Sequence, residues 1–290
     1  MLAICQRHQL TPHLKRSESG SHIVYRAGEP WNRQWIKLMA PIYQKEMAFE
    51  VAGLNAVRGQ LSVPTPEIFV QESIEGWPYV ILSDVPGESI KRAWPLFTEP
   101  QQIYVATQIA KIVLEMRQCR ADDLIKGRFE WNSFVDNQYD QCEAQQVKKK
   151  LPEPWVQHLK NFLGSFSKSE FKTDQLVFLH CDLSYEHFLV SKDSDQPAIS
   201  GIIDMADVQY GHPEYELAGP AVFVFKAQPI ILSTFLRSCG YSPLNQRFSE
   251  KLLAWCLLHR YFDMYGFFTK EMDECVPGDF KSLAQKVFPL

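Results

Sequence analysis

No run in this chain approaches the roughly eighteen apolar residues needed to cross a membrane, so no membrane partner is expected. Its start lacks the long apolar segment and small-residue cleavage site of a secretory signal, which makes the cytoplasm the default compartment. Cys5, Cys119, Cys142, Cys181, Cys239, Cys256 and Cys275 are scattered, with no C-x-x-C pair and no zinc spacing. An odd, dispersed set reads as reduced thiols in that same compartment. An excess of basic charge is missing too. The formal net charge is −4 and the pI is near 6.1, whereas a nucleic-acid binder normally carries a basic stripe to displace counterions from phosphate. A neutral or cationic small substrate is easier to accommodate. Internal repeats and low-complexity segments are also absent, and nothing in the sequence sets an oligomeric state.

What is present is a large apolar fraction, 46% of 290 residues. That is enough for a substantial core and exceeds the size at which single cores usually divide, so two lobes are expected. The most informative stretch is Gln175 to Asp207. Leu176-Val177-Phe178-Leu179 forms an interior-strand run that delivers His180, Cys181 and Asp182 into a turn. Phe188-Leu189-Val190 leaves that turn, Ser191 to Pro197 reads as a second turn, and Ile199 to Ile203 reads as a third strand ending at Asp204. Two acids are thereby expected at the ends of neighbouring strands. Phosphoryl transfer needs such a pair: one carboxylate accepts the proton of a hydroxyl nucleophile, and another group holds Mg²⁺ on the nucleotide phosphates. Asp182 fits the first role and Asp204 the second. His187, five residues after Asp182, is placed to complete the metal site, and His180 to brace the loop by hydrogen bonds.

His180-Cys181-Asp182-Leu183 followed by Ile202-Ile203-Asp204 resembles the aminoglycoside phosphotransferase family, which shares the protein-kinase-like fold. The usual loop of that family reads H-G-D, four residues, then N. Here Cys181 replaces the Gly and His187 the Asn; macrolide phosphotransferases of the same superfamily also place a His there. The resemblance implies an α+β, two-lobed fold with a small N-terminal lobe (residues 1–85) built on an antiparallel sheet and a larger, mainly helical lobe (residues 86–290). It implies transfer of the γ-phosphoryl group of ATP or GTP, with Mg²⁺, to a hydroxyl of a small molecule. The alternatives are a nucleotide-binding pseudoenzyme acting through a partner, or a kinase for a sugar or amino alcohol. Asp204 is followed by Met205-Ala206, with no D-F-G start of an activation segment, so a protein acceptor is less expected.

Other positions follow in chain order. Ser17 to Ser21 precedes the strand Ile23-Val24-Tyr25 and reads either as a phosphate-facing turn or as an ordinary hairpin, with only Gly20 inside it. Lys37, in the strand Trp35 to Leu38, sits among apolar residues where an unpaired ammonium is costly. In the helix expected over Ile42 to Arg58, Glu46 and Glu50 are i,i+4 neighbours beside an apolar face of Met47, Val51, Leu54 and Val57. One of them is expected to orient Lys37 towards phosphates. Glu50 is favoured because its distance from Gly59 resembles the family's spacing, and Glu46 stays open. Ser83 to Glu88 reads as the hinge, and the resemblance implies that backbone from Ser83 to Val85 meets the adenine edge.

The remainder is expected to be mainly helical. Apolar stripes run through Gln101 to Cys119 and Trp155 to Phe166, and Leu252 to Phe268 reads as one buried helix in which Arg260 and Asp263 are placed to satisfy each other. Gly211-His212-Pro213-Glu214-Tyr215-Glu216-Leu217-Ala218 resembles the family's G-D-P-x-x-D-L-A segment, with Glu216 expected to hold loop backbone. Asp207 either lines the cleft or caps the next element. Glu271, Asp273, Glu274 and Asp279 form either a substrate-facing acidic cluster or an exposed tail.

Overall fold

A five-stranded sheet is formed by β1 (Lys15–Arg16), β2 (Ile23–Ala27), β3 (Gln34–Leu38), β4 (Ile68–Ile74) and β5 (Trp77–Ser83), in the order β1-β2-β3-β5-β4, with every neighbouring pair antiparallel. The computed structural model describes residues 1–12, 15–16, 22–29, 31–191 and 196–290, so the turn expected at Ser17 to Ser21 lies outside the described residues, as does residues 192–195 of the second turn. Lys37 lies opposite Val24 and Val80. The two-residue period of a strand sends Val80 and Leu82 into the main core with α2 (Gln44–Val57). Ile36, Tyr79 and Ile81 turn the other way and pack on Ile4 and Cys5 of α1 (Leu2–Arg7), a helix the sequence pattern did not announce. Pro41 to Tyr43 form a short 3-10 turn that starts α2 later than expected. Gly53 lets α2 lie against the chain beyond Asp204, since a Cβ there would stand 2.8 Å from the Met205 Cβ and carbonyl oxygen.

β5 ends at Ser83, whose amide donates to the Glu67 carbonyl and whose Oγ accepts from the Glu67 amide, both at 2.8 Å. Asp84 to Gly87 then lead into β6 (Glu88–Ser89), which pairs with β8 (Phe188–Ser191), itself paired with β9 (Ala198–Ile202). Val85 is buried against Gly201, where a Cβ would meet its Cγ1 at 2.2 Å. The segment after β5 is thus clamped on the strand that leads to Asp204. β7 (Val177–Leu179) pairs instead with β10 (Gln209–Gly211).

Helices make up most of the rest: α3 (Ile90–Ala93), α4 (Glu99–Met116), α5 (Asp123–Lys126), α6 (Trp131–Lys148), α7 (Glu153–Gly164), α8 (Ala218–Phe223), α9 (Pro229–Ser238), α10 (Gln246–Leu258), α11 (Met264–Asp273) and α12 (Phe280–Val287). Thr98 and Gln101 cap α4 reciprocally, and its stripe of Ala106, Ile109, Ala110, Val113 and Met116 is buried as the spacing predicts. Two readings are corrected. Leu252 to Phe268 is not one helix, because α10 stops at Leu258 and α11 begins at Met264. Arg260 and Asp263 do not satisfy each other: Arg260 turns to Asp207, while Asp263 caps α11 by accepting from the Gly266 amide. A carboxylate one residue before a helix has its own backbone donor within reach, and that local partner wins.

Candidate active site

β3 and α2 bring Lys37 and Glu50 together, with Lys37 Nζ 2.6 Å from Glu50 Oε2 and 2.9 Å from Asp204 Oδ1. Lys37 and Glu50 are almost wholly buried. Burial works against charge on Lys37, but the carboxylates of Asp204 and Glu50 outweigh it and raise its pKa well above the usual lysine range. Partial burial works against Asp204 in the same way, and there Lys37 and then His187 prevail, holding the carboxyl well below its ordinary value. Burial pushes Glu50 up to about 7 in spite of Lys37. Glu46 makes no ion pair with Lys37 among the described residues.

Asp182 and Asp204 are not on neighbouring strands. Asp182 follows β7 in one sheet and Asp204 follows β9 in another. The turn from His180 to His187 joins them. Cys181, where the family's loop usually carries glycine, has φ +66°, the left-handed region, so the chain reverses sharply before Asp182. His187 then stands between the acids: Nδ1 is 3.7 Å from Asp182 Oδ2, and Nε2 is 3.9 Å from Asp204 Oδ2. Nδ1 donates to the Asp182 carbonyl at 2.5 Å, which leaves the Nε2 lone pair facing Asp204 when the ring is neutral. Burial disfavours the imidazolium, but Asp204 and then Asp182 raise the His187 pKa. Burial also raises Asp182, reinforced by Asp207 and Asp204 against the pull of His187.

Buried hydrogen bonds fix the turn. Glu216 accepts from the His180 amide at 2.5 Å and the Cys181 amide at 3.0 Å. The Asp182 amide donates to His180 Nδ1 and His180 Nε2 donates to the Ile203 carbonyl, so the ring is neutral, and burial lowers its pKa to about 4. His259, which sequence reasoning passed over, donates from Nε2 to the Cys181 carbonyl at 3.0 Å. Asp207 lines the cleft while Arg260 holds it at 2.7 Å and Tyr261 donates to it at 2.9 Å. Arg128 donates to the Ala206 and Val208 carbonyls and lies 4.0 Å over the Phe49 ring, tying the loop after Asp204 to α2. For Arg260, its interruption of an apolar run was the sequence signal, and it pointed to the wrong partner, Asp263.

These groups open on a cleft of about 270 Å³ lined by Asp182, Tyr185, Glu186, His187, Asp204 and Asp207, together with His22 and Phe223. Among the described residues no three His, Cys, Asp or Glu side chains form a ready-made metal cage. Mg²⁺ on a nucleotide needs only one or two protein ligands, with phosphate and water supplying the rest. The donor set fits that requirement through Asp204 Oδ2 and the facing His187 Nε2. Glu271, Glu274 and Asp279 do not enter the cleft: they pair with Lys226, pair with Lys286 and cap α12, respectively.

The model of the phosphotransferase enzyme family, APH, matches residues 19–248. The chain belongs to this family. It is a phosphotransferase with a hydroxyl acceptor, and its fold is the two-lobed, kinase-like fold of solved aminoglycoside phosphotransferases. APH(2")-IIia, solved with GDP and kanamycin, is similar at a TM-score of 0.70 and 17% identity, over 94% of this phosphotransferase and 89% of that chain. ADP-bound APH(2'')-Ib gives 0.63 and 15%, over 99% and 96%. APH(3'')-Id from Streptomyces rimosus gives 0.63 and 14%, over 89% and 97%. Comparison with curated protein sequences found no match. No helix among the described residues of the phosphotransferase is long and apolar enough to cross a membrane.

Proposed function

We propose that this cleft transfers the γ-phosphoryl group of ATP or GTP to a hydroxyl of a small molecule. Lys37, oriented by Glu50, positions the phosphates; Asp204 and His187 hold Mg²⁺; Asp182 orients the acceptor and takes its proton. The nucleobase edge lies against backbone from Ser83 to Val85, and the lobes divide near residue 85. The observation that carries this reading is the placement of His187 within 4 Å of both Asp182 and Asp204, with Lys37 on the other oxygen of Asp204. That geometry supplies a proton acceptor on one side of a cation-binding carboxylate. As the acceptor oxygen bonds to the γ-phosphorus, its proton passes to Asp182 and the bond to the β,γ-bridging oxygen breaks. When bound, Mg²⁺ supplies charge neutralisation on the phosphates. A raised pKa makes Asp182 a stronger base. Seven free cysteines suit a reducing compartment, and we assign the enzyme to the cytoplasm on that basis.

The test is transfer of label from ATP and GTP, with Mg²⁺, to a panel of aminoglycosides, macrolides and amino alcohols, with Asp182→Asn in parallel. Label should appear on one acceptor class, and the variant should lose about 10²–10⁴-fold in rate while binding nucleotide normally. Full transfer by the variant would remove Asp182 from the mechanism. Absence of nucleotide binding with Mg²⁺ would remove the roles given to Lys37, His187 and Asp204.

A further inference from the structure

The carboxylates on the cleft wall invite the reading that a polycation binds there, but nearly all of them are already matched. Asp204 is held by Lys37 at 2.9 Å, Asp207 by Arg260 at 2.7 Å with Arg128 at 3.7 Å, and Glu186 by Lys91 at 2.6 Å. Of the four described carboxylates on the cleft wall, only Asp182 has no lysine or arginine within ion-pair distance; its charged neighbour is His187. A polyammonium ligand would have to displace internal cations, and those on Asp204 and Asp207 are largely buried.

The wall offers aromatic surface instead. Tyr185 and Phe223 are half-buried, meet edge to face at 5.7 Å and 88°, and both line the cleft beside Asp182. Phe267 backs Phe223 at 5.1 Å. Lys91 Nζ lies 5.0 Å over the Tyr185 ring, so a cation of the protein is already beside this surface and a multiply charged ligand would be repelled by it. The volume of about 270 Å³ falls at the small end of ligand sites, which run to roughly 300–1,000 Å³.

We infer that the acceptor is a small hydroxyl compound with an apolar ring face and at most one positive charge, its ring seated on Tyr185 and Phe223 and its hydroxyl directed to Asp182. This rests on the phosphotransfer reading for the role of Asp182, but the choice of ligand class stands on the wall itself. The experiment is calorimetric titration of the whole protein with 2-amino-1-phenylethanol and with kanamycin at near-physiological salt, with and without nucleotide and Mg²⁺.

The aromatic amino alcohol should bind at least tenfold more tightly than kanamycin, and Phe223→Ala should weaken it roughly three- to tenfold. Equal or tighter kanamycin binding by the unaltered protein, no binding of the amino alcohol, or indifference of the amino alcohol to Phe223→Ala overturns the inference. A protein that binds neither ATP nor GTP loses the phosphotransfer reading, while the titrations without nucleotide still decide the ligand class.

Discussion

Lys37→Met removes the ammonium shared by Glu50 and Asp204 at 2.6 and 2.9 Å. Removing one partner of a buried ion pair costs about 3–5 kcal/mol. Asp204 is about a third exposed, so solvent screens its share, and the lower figure, about 3 kcal/mol at pH 7.5, is expected. At roughly 2–4 °C per kcal/mol this is a fall in Tm on the order of 10 °C. The loss has a defined pH dependence. Glu50 is already pushed up to about 7 from an ordinary 4.5, and losing Lys37 raises it further. A carboxyl raised in the folded state contributes stability that is fully present below its unfolded pKa and lost as pH climbs through the folded one. The variant should therefore regain part of its deficit between pH 8 and 5. Glu50→Gln keeps the Lys37–Asp204 pair without an orphan charge and should cost about 1 kcal/mol or less. The double variant should be more stable than Lys37→Met alone, since it removes the uncompensated carboxylate. Urea unfolding of the three variants, followed by tryptophan fluorescence from pH 5 to 8, measures all of this. A deficit below about 1 kcal/mol, no pH dependence, or no rescue in the double variant would refute the reasoning.

Glu216→Gln leaves one of two buried backbone amides facing an N–H donor, so about 2–3 kcal/mol should be lost in chemical denaturation and transfer should slow more than nucleotide binding weakens. Gly53→Ala places a methyl 2.8 Å from Met205 and should cost about 1–3 kcal/mol, with a raised nucleotide KM as α2 and Glu50 shift. His259 is buried neutral, its pKa lowered to about 4 first by burial and then by Arg260. Its stabilising contribution is present above its ordinary 6.5 and lost as pH falls towards 4, at a cost of up to about 3 kcal/mol. His259→Gln should thus be less stable than the unaltered protein at pH 7 and close the gap by that amount at pH 4, as read by thermal unfolding across the range.

What could be read from the chain was local. The strands around Lys37 and Asp204 follow from short apolar runs, and α4 from its apolar stripe. Lys37 itself was legible because an ammonium among Trp35, Ile36 and Leu38 demands a partner. What escaped depended on separation along the chain. The partner of Arg260 is 53 residues away, and spacing arguments see only neighbours such as Asp263. Tyr185 and Phe223 meet across 38 residues, so neither alone marks a surface. The expected adjacency of the strands before Asp182 and Asp204 failed for a similar reason. β7 finds its partner in β10, beyond Asp204, and a pattern of apolar runs fixes strands without fixing their order.

The turn at Cys181 ties these scales together. A left-handed conformation costs a non-glycine residue on the order of 1–2 kcal/mol. Cys181 nevertheless adopts it because its amide is bound by Glu216, its carbonyl by His259, and its side chain is 2% exposed in the core. Buried hydrogen bonds of this kind contribute about 1 kcal/mol each, more where a carboxylate is the acceptor, and leaving their partners unmet would cost more still. The surroundings therefore outweigh the strain. Asp204, also left-handed at φ +69°, is anchored differently, by Lys37 on its side chain. The two acids owe their mutual position to groups from β3, α2, the Glu216 turn and the end of α10. The candidate site is consequently assembled by the packing of the whole chain, and the short motif around Asp182 supplies the groups proposed to react without the means of holding them in place.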